Sequence, residues 1–355
     1  MRYLTPTTVL ASSLTDRAAI SLFYGIRMLT VTGEKLSSDF DATKPFVDKF
    51  EKTVRDLGLT SDQVYNADES GLFWRLLPKR VYVCRSEKSA DGWKKAKDRI
   101  TFMPCANASG THKLQLLVIG KSKQPRAIRK VKVPVVYKGQ SRAWMTKALF
   151  HEWFEEEFCP QVRRFLRSRN LPQKALLVVD NAPGHDTGEE LTSKNGQIKV
   201  MFLPPNCTTL LQPMDQNIIE NIKSKFKKKT LLHIVSRDGD ISKTMKEMNL
   251  NDVVFTLAES WNEIQPEVIQ ASWKNLCPLF STTDEDGESS SGTAGVWEPE
   301  DDIPLAGLID VASARVHNEN TEMQREDIED WCAGVDDVDE LVSLIRTTEL
   351  LSTLF

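Results

Sequence analysis

From residue 175 to residue 179 the chain reads Ala-Leu-Leu-Val-Val without a polar interruption, and Asp180 follows at once. A five-residue aliphatic run with no alternation predicts a strand buried on both faces, the kind found where helices cover both sides of a sheet. Other segments supply the rest of such a sheet. Val64-Tyr65-Asn66 leads to Asp68 and then Gly71. Strands are predicted over Arg99–Ala106 and Leu114–Gly120, with Gly110-Thr111-His112 as the loop between them, and over Ile198–Leu203, closed by Pro204-Pro205. Phe46, Phe50, Val54 and Leu57 recur at helical spacing over 43–57. Residues 146–168 also have helical spacing, with Pro160 expected to kink or divide the helix. A further helix is predicted to begin near Gln212-Pro213, where proline is tolerated in the first turn, and to run through Lys229. The order implies an α/β domain, a mixed sheet flanked by helices.

Three acids occupy equivalent places in that order. Asp68 and Asp180 end strands, and Asp215 sits at the start of the helix after the last strand. In open α/β sheets ligands gather outside the carboxyl ends of the strands, so the three side chains can converge there. Crowded carboxylates repel one another unless a proton or a cation is present. Hard cations such as Mg²⁺ prefer these oxygens, and two ions about 3.5–4 Å apart support in-line phosphoryl displacement. One Asp at a strand end is more often a turn former or helix cap, so the weight rests on the surrounding residues.

The net charge of −4 conceals a division. Residues 281–355 hold 20 Asp/Glu against 3 Lys/Arg, while residues 1–280 hold 43 Lys/Arg against 30 Asp/Glu. A basic body with an acidic tail suits a polyanion partner, although a solvated basic surface gives the same balance. Residues 281–303 are acidic, Ser/Gly-rich and poor in apolar side chains, which predicts a disordered linker. Short amphipathic helices are expected over 326–353. The 6 cysteines are scattered with no Cys-x-x-Cys pair, against a structural zinc site or a dense disulfide framework. No apolar run approaches the roughly 20 residues of a membrane span, so no membrane association is expected.

The stretches Asn66-Ala-Asp68-Glu-Ser-Gly-Leu-Phe-Trp74, Cys105-Ala-Asn-Ala108, Asp180-Asn-Ala-Pro-Gly-His185, Phe202-Leu-Pro-Pro-Asn206 and Leu211-Gln-Pro-Met-Asp-Gln216 resemble, in this order, the DDE-superfamily catalytic domain of pogo-like transposases, the Tigger and jerky branch above all. The resemblance covers roughly residues 24–235. It implies a ribonuclease-H-like α/β fold with Asp68, Asp180 and Asp215 as catalytic and metal-binding acids. It also implies two Mg²⁺ (or Mn²⁺) ions as cofactors of an active protein, DNA as partner, and a nuclear location. The 34 residues between Asp180 and Asp215 fit the group's DDxD spacing. Ser70 stands where the family usually has Thr, and Asn217 where it commonly has Gly. The family's N-terminal helix-turn-helix modules find no room in the first 23 residues, so a remnant linker is expected over 1–40. A DDE domain is expected over 41–235, a helical extension over 236–280, and an acidic linker and tail over 281–355.

Beside the acids, His185 can orient a phosphate or metal-bound water, or simply satisfy its own loop, and Asn181 adjoins it. Glu69 is expected to point away from Asp68 if the strand continues, and is not counted as a ligand. Lys223, Lys225, Lys227, Lys228 and Lys229 are placed to track phosphates, or to form a solvated helix end. The region 93–132 adds Lys94, Lys95, Lys97, Arg99, Lys113, Lys121, Lys123, Arg126, Arg129, Lys130 and Lys132 with few acids. Trp144, Trp153 and Phe158 are expected in the core. Two functions follow: a metal-dependent phosphodiester-cleaving and strand-transfer protein, or a domesticated nuclear DNA-binding regulator without turnover. A second copy of the chain and a protein recruited by the acidic tail are further partners the sequence allows.

Overall fold

A computed structural model of the chain describes residues 40–74, 98–185, 191–236 and 247–280. The regions 1–39, 75–97 and 281–355, and with them the linker, the tail helices and Lys94, Lys95 and Lys97, lie outside the described residues.

The apolar run predicted to be a central strand is one. β1 (Val64–Ala67) pairs in parallel with β7 (Ala175–Val179), and β7 pairs in parallel with β8 (Ile198–Phe202). On its other side β1 pairs antiparallel with β4 (Cys105–Asn107). A second group joins β2 (Ser70–Phe73), β3 (Arg99–Met103), β5 (Leu117–Gly120) and β6 (Val136–Gly139), in the order β2-β3-β5-β6. The two groups share one ladder. Continuing the Ala67↔Cys105 pairing by one residue sets Asp68 opposite Pro104, and two residues further Ser70 meets Phe102, as observed. Pro104 has no N–H to donate, so the ladder breaks opposite the first acid. Counting β1/β2 and β3/β4 as single interrupted strands, the sheet runs third-second-first-fourth-fifth, with β6 added beside β5. This is the mixed sheet expected of a ribonuclease-H-like α/β fold.

Helices cover both faces. α1 (Phe40–Leu57) buries Phe46, Phe50 and Val54 with Val64, Leu176, Val178 and Trp273. On the opposite face lie α2 (Lys147–Trp153) and α3 (Cys159–Ser168), packing Phe150, Trp153, Phe158 and Val162 onto Tyr65, Leu177 and Val179. The division expected at Pro160 takes the form of a π-helical turn over Phe154–Phe158, which opens the backbone just ahead of the residue that cannot donate. The short α4 (Thr208–Leu211) and a 3₁₀ turn (Pro213–Asp215) precede α5 (Ile218–Ser236). α6 (Leu250–Asn262) and α7 (Pro266–Ser272) follow. Val253, Val254, Leu257, Trp261 and Ile269 of these last helices share a core with Leu72, Phe102, Val118 and Ile222. The extension is therefore packed into the domain that carries the sheet. Cys105, Cys159, Cys207 and Cys277 are buried thiols outside any disulfide. Among the described residues no helix is long and apolar enough to cross a membrane.

Candidate metal centre

Asp68 follows β1 directly and is buried; Asp180 follows β7 and is partly buried. Asp215 comes from the 3₁₀ turn and is exposed. The helix expected to run unbroken from Pro213 does not do so. Asn217 adopts a φ of 68°, which stops the turn before α5 begins and aims Asp215 back at the sheet. That left-handed conformation is comfortable only for glycine and, less so, asparagine, which accounts for the residue found there.

A second device fixes the turn. Asn66, buried within β1, donates from Nδ2 to the Val178 carbonyl (2.9 Å) and to Gln212 Oε1 (3.2 Å). Its Oδ1 accepts the Met214 N–H at 2.9 Å, and Gln212 Nε2 donates to the Ala67 carbonyl at 3.3 Å. One buried amide thus ties together the strand before Asp68, the strand before Asp180 and the turn bearing Asp215.

Asp68 and Asp215 meet in consequence. Asp68 shares a side-chain hydrogen bond with Asp215 and feels the charges of Asp215, Asp180 and Glu69. Burial and those charges hold the Asp68 carboxyl well above the usual carboxylate range. That crowding favours the protonated form of Asp68 while no cation is bound.

Glu69 departs from expectation. The ladder break at Pro104 releases the strand from strict alternation, and its carboxylate joins the same cluster. Among the described residues, the group whose ligand atoms all lie within 4.8 Å of one another is Glu69, Asp180 and His185, not the three aspartates. His185 Nδ1 stands 2.7 Å from Asp180 Oδ1, and Nε2 stands 3.1 Å from Glu69 Oε1. Phe150 packs on the imidazole, ring centroids 4.4 Å apart. Burial alone would lower the His185 pKa, but the Glu69 charge and hydrogen bonds to Asp180 and Glu69 push it up to about 10. With both ring nitrogens donating, His185 acts as a fixed internal cation. Asn181, half-buried, begins the loop between Asp180 and His185.

The lysines do not form the open row that the sequence suggested. Lys227 is buried, Lys225 faces Glu263 at 3.9 Å, and Lys229 pairs with Glu263 (2.7 Å) and Glu259 (3.8 Å) of α6. Lys223 and Lys228 are half-buried. Burying the shared face of α5 and α6 draws these stems inward and sets glutamates opposite them. Lys113, counted with the basic stretches, is engaged within the fold, where its Nζ donates to the carbonyls of Trp261, Asn262 and Ile264 at the end of α6. Trp153 and Phe158 are buried, but Trp144 is exposed.

Residues 97–273 match the DDE superfamily endonuclease family. That span includes Asp180, His185 and Asp215, whereas Asp68 stands upstream of it. The human Jerky protein homolog is 36% identical over 270 residues, covering 75% of this chain and 46% of that protein. Human Tigger transposable element-derived protein 7 is 37% identical, covering 68% and 47%, and the mouse Jerky protein is 31% identical, covering 92% and 56%. The chain thus spans about half the length of these relatives. A solved Mos1 mariner paired end complex with Mn overlaps 74% of this chain and 67% of its own at 11% identity, with a TM-score of 0.36, too loose a likeness to carry weight. The chain contains a DDE superfamily endonuclease domain and is a homologue of the Jerky and Tigger transposable element-derived proteins.

Proposed function

We propose that this chain is a transposase-derived DNA-binding protein whose Asp68, Asp180 and Asp215 hold divalent cations for phosphodiester cleavage and strand transfer. The observation that carries the reading is the hydrogen bond between Asp68 and Asp215 beneath the charge of Asp180. The Asp68–Asp215 pair, with the charge of Asp180 acting on it and burial driving Asp68 toward its protonated form, offers carboxylate oxygens suited to Mg²⁺ or Mn²⁺. When bound, such ions supply an activated attacking oxygen and charge neutralisation at the phosphate. The residues' own part is to hold the ligands: Asn66 and Gln212 keep the 213–215 turn on the strand ends, and His185 holds Asp180 through the 2.7 Å contact of its Nδ1. A cation bound there would favour the ionised form of Asp68.

A second reading is favoured by His185. An imidazolium already balancing Asp180 and Glu69 lets the fold persist without metal, as suits a DNA-binding regulator that no longer turns over. The two readings separate in one experiment. Full-length protein is titrated with Mn²⁺ by calorimetry and incubated with supercoiled plasmid, beside Asp68→Asn and Asp180→Asn. Saturable Mn²⁺ binding and divalent-dependent nicking, both lost in the variants, are expected of the first reading. Neither binding nor nicking would remove it, and DNA retention unaltered in both variants would leave the second.

A further inference from the structure

The strands fix which groups share the end of the sheet where Asp180 lies. β5, β6 and β7 run in the same direction, so Gly120, Gly139 and Val179 close strands toward the same end of the sheet, with Gly120 and Gly139 carried beyond the level of Val179 by the register. β3 runs the opposite way, so Arg99 starts there, and continuing the Thr101↔Ile119 register sets it opposite Lys121. From Arg99 to His151 the chain contains no Asp or Glu. The 120–144 loops are thus rich in basic side chains and hold no acid of their own, while Asp98 precedes Arg99 and Glu152 pairs with Lys138 at 2.6 Å. Lys121, Lys123 and Arg142 are exposed, and the Lys123 backbone packs so closely over Gly139 that a Cβ there would collide with it.

In the midst of these charges stands Trp144, 42% exposed, with the Arg99 guanidinium 4.8 Å from its ring centroid. The loop that carries it is firmly built. Gln140 Oε1 accepts the N–H groups of Arg142 (2.6 Å) and Trp144 (3.2 Å). Ala143 is fully buried in the left-handed region at φ 54°, its carbonyl taken by Thr101 Oγ1 at 2.7 Å. A non-glycine residue persists in that conformation only where its surroundings enforce it, and such sites cluster at ligand clamps. The enforced loop has one conspicuous result: a large aromatic ring is held toward water beside an arginine. It also reaches the loop that follows Asp180, because the Met145 carbonyl and side chain abut Gly184, between Asp180 and His185.

We propose that nucleic acid crosses this end of the sheet, with Lys121, Lys123 and Arg142 on phosphates and an unpaired base stacked on Trp144 beside Arg99. The proposal rests on the DNA reading above and places the strand over the 120–144 loops, away from the lysine helix α5. Arginine and an indole together form a stacking platform indifferent to base identity, since every base has a π face. Beside a phosphodiester site, its use is to hold a nucleotide out of the duplex at the reacting position.

The test measures anisotropy of two fluorescein-labelled DNAs, a blunt duplex and the same duplex with a short single-stranded overhang, against full-length protein. Trp144→Ala should lose about tenfold in affinity for the overhang DNA and little for the blunt duplex, and Trp144→Phe should keep most of it. Lys123→Glu with Arg142→Glu should weaken both DNAs and reduce the log–log salt slope by about 1–2. Melting curves confirm that the variants fold. Wild-type affinity of Trp144→Ala for the overhang DNA overturns the platform and leaves the DNA reading standing, as does equal loss on both DNAs. Self-association abolished by Trp144→Ala with DNA affinity intact assigns the ring to a second copy and also overturns it. A wild-type protein that binds neither DNA removes this proposal and the DNA reading together.

Discussion

His185 Nε2 reaches Glu69 Oε1 at 3.1 Å across 116 residues of sequence, while its Nδ1 holds Asp180 Oδ1 at 2.7 Å. The imidazole is buried, so neither carboxylate has water on that side to replace it. His185→Ala therefore leaves two partly buried carboxylates facing a void, and should destabilise the metal-free protein by about 2–3 kcal/mol. Positive charge supplied from outside should then matter more: Mn²⁺ should raise the melting temperature of His185→Ala by more than that of wild type. Differential scanning fluorimetry with and without Mn²⁺ checks both statements. Equal melting of the two metal-free proteins would show that the ion pairs carry no weight.

His112 gives the fold a pH dependence of definite sign. Its ring stacks on Phe165 at 4.3 Å, and its Nδ1 lies 2.9 Å from the Tyr65 hydroxyl, which donates to it. Burial lowers the His112 pKa to about 4, against a smaller opposing pull from Asp62. The unfolded chain keeps a pKa near 6.5, so between pH 6.5 and about 4 the unfolded state binds a proton that the folded state refuses. Stability is complete above pH 6.5 and is lost as pH falls toward 4. The urea midpoint of wild type should drop across this window more steeply than that of His112→Gln. Parallel pH profiles of the two would refute the assignment.

Lys113 should behave as a structural residue despite lying in the basic stretch. Its ammonium caps the C-terminus of α6 through the carbonyls of Trp261 (3.2 Å), Asn262 (2.7 Å) and Ile264 (2.8 Å), and lies 5.3 Å from the Trp261 ring. Cation capping of a helix end together with a cation–π contact amounts to about 1–2 kcal/mol. Lys113→Met should lower the melting temperature accordingly and leave the salt slope of DNA binding unchanged. Lys229→Met, at a half-exposed pair with Glu263, should cost about 0.5 kcal/mol and likewise spare the slope. A slope reduced by about 1 in either variant would return that lysine to the phosphate track.

The contrast between these lysines and Trp144 marks where local sequence patterns stop being informative. Ala175–Val179 and Asp180 are legible because an unmixed aliphatic run has one strand environment available to it. Asp68 is legible through its neighbours, among them Asn66, whose triple hydrogen bonding in the core no local pattern discloses. Glu69 defies its pattern because strand alternation assumes an unbroken ladder, and the break arises at Pro104, in a different strand. β6 is invisible in the sequence because four half-buried residues carry no periodic signal. Composition identifies the lysines but not their partners, since Glu259 and Glu263 reach them only after α6 folds against α5. Size alone assigns Trp144 to the core, whereas its exposure follows from a backbone turn at Ala143.

Asn217 is visible in the sequence as a departure, with asparagine where glycine is common, and its φ of 68° supplies the reason for both residues. The left-handed turn ends the 213–215 segment, so the position of Asp215 depends on a backbone angle two residues away. Asn217→Gly should keep the conformation and change stability by only a few tenths of a kcal/mol. Asn217→Val places a branched Cβ against the following carbonyl and should cost about 1–2 kcal/mol. Because α5 is anchored by the buried Ile218, Ile222 and Phe226, the strain is relieved on the other side, in the turn that carries Asp215. Asn217→Val should therefore lose Mn²⁺ affinity by more than tenfold while the helical circular dichroism stays intact. Asn217→Gly should bind Mn²⁺ as wild type does. If the valine variant matches the glycine variant in both melting temperature and Mn²⁺ titration, this backbone angle does not hold Asp215 in place.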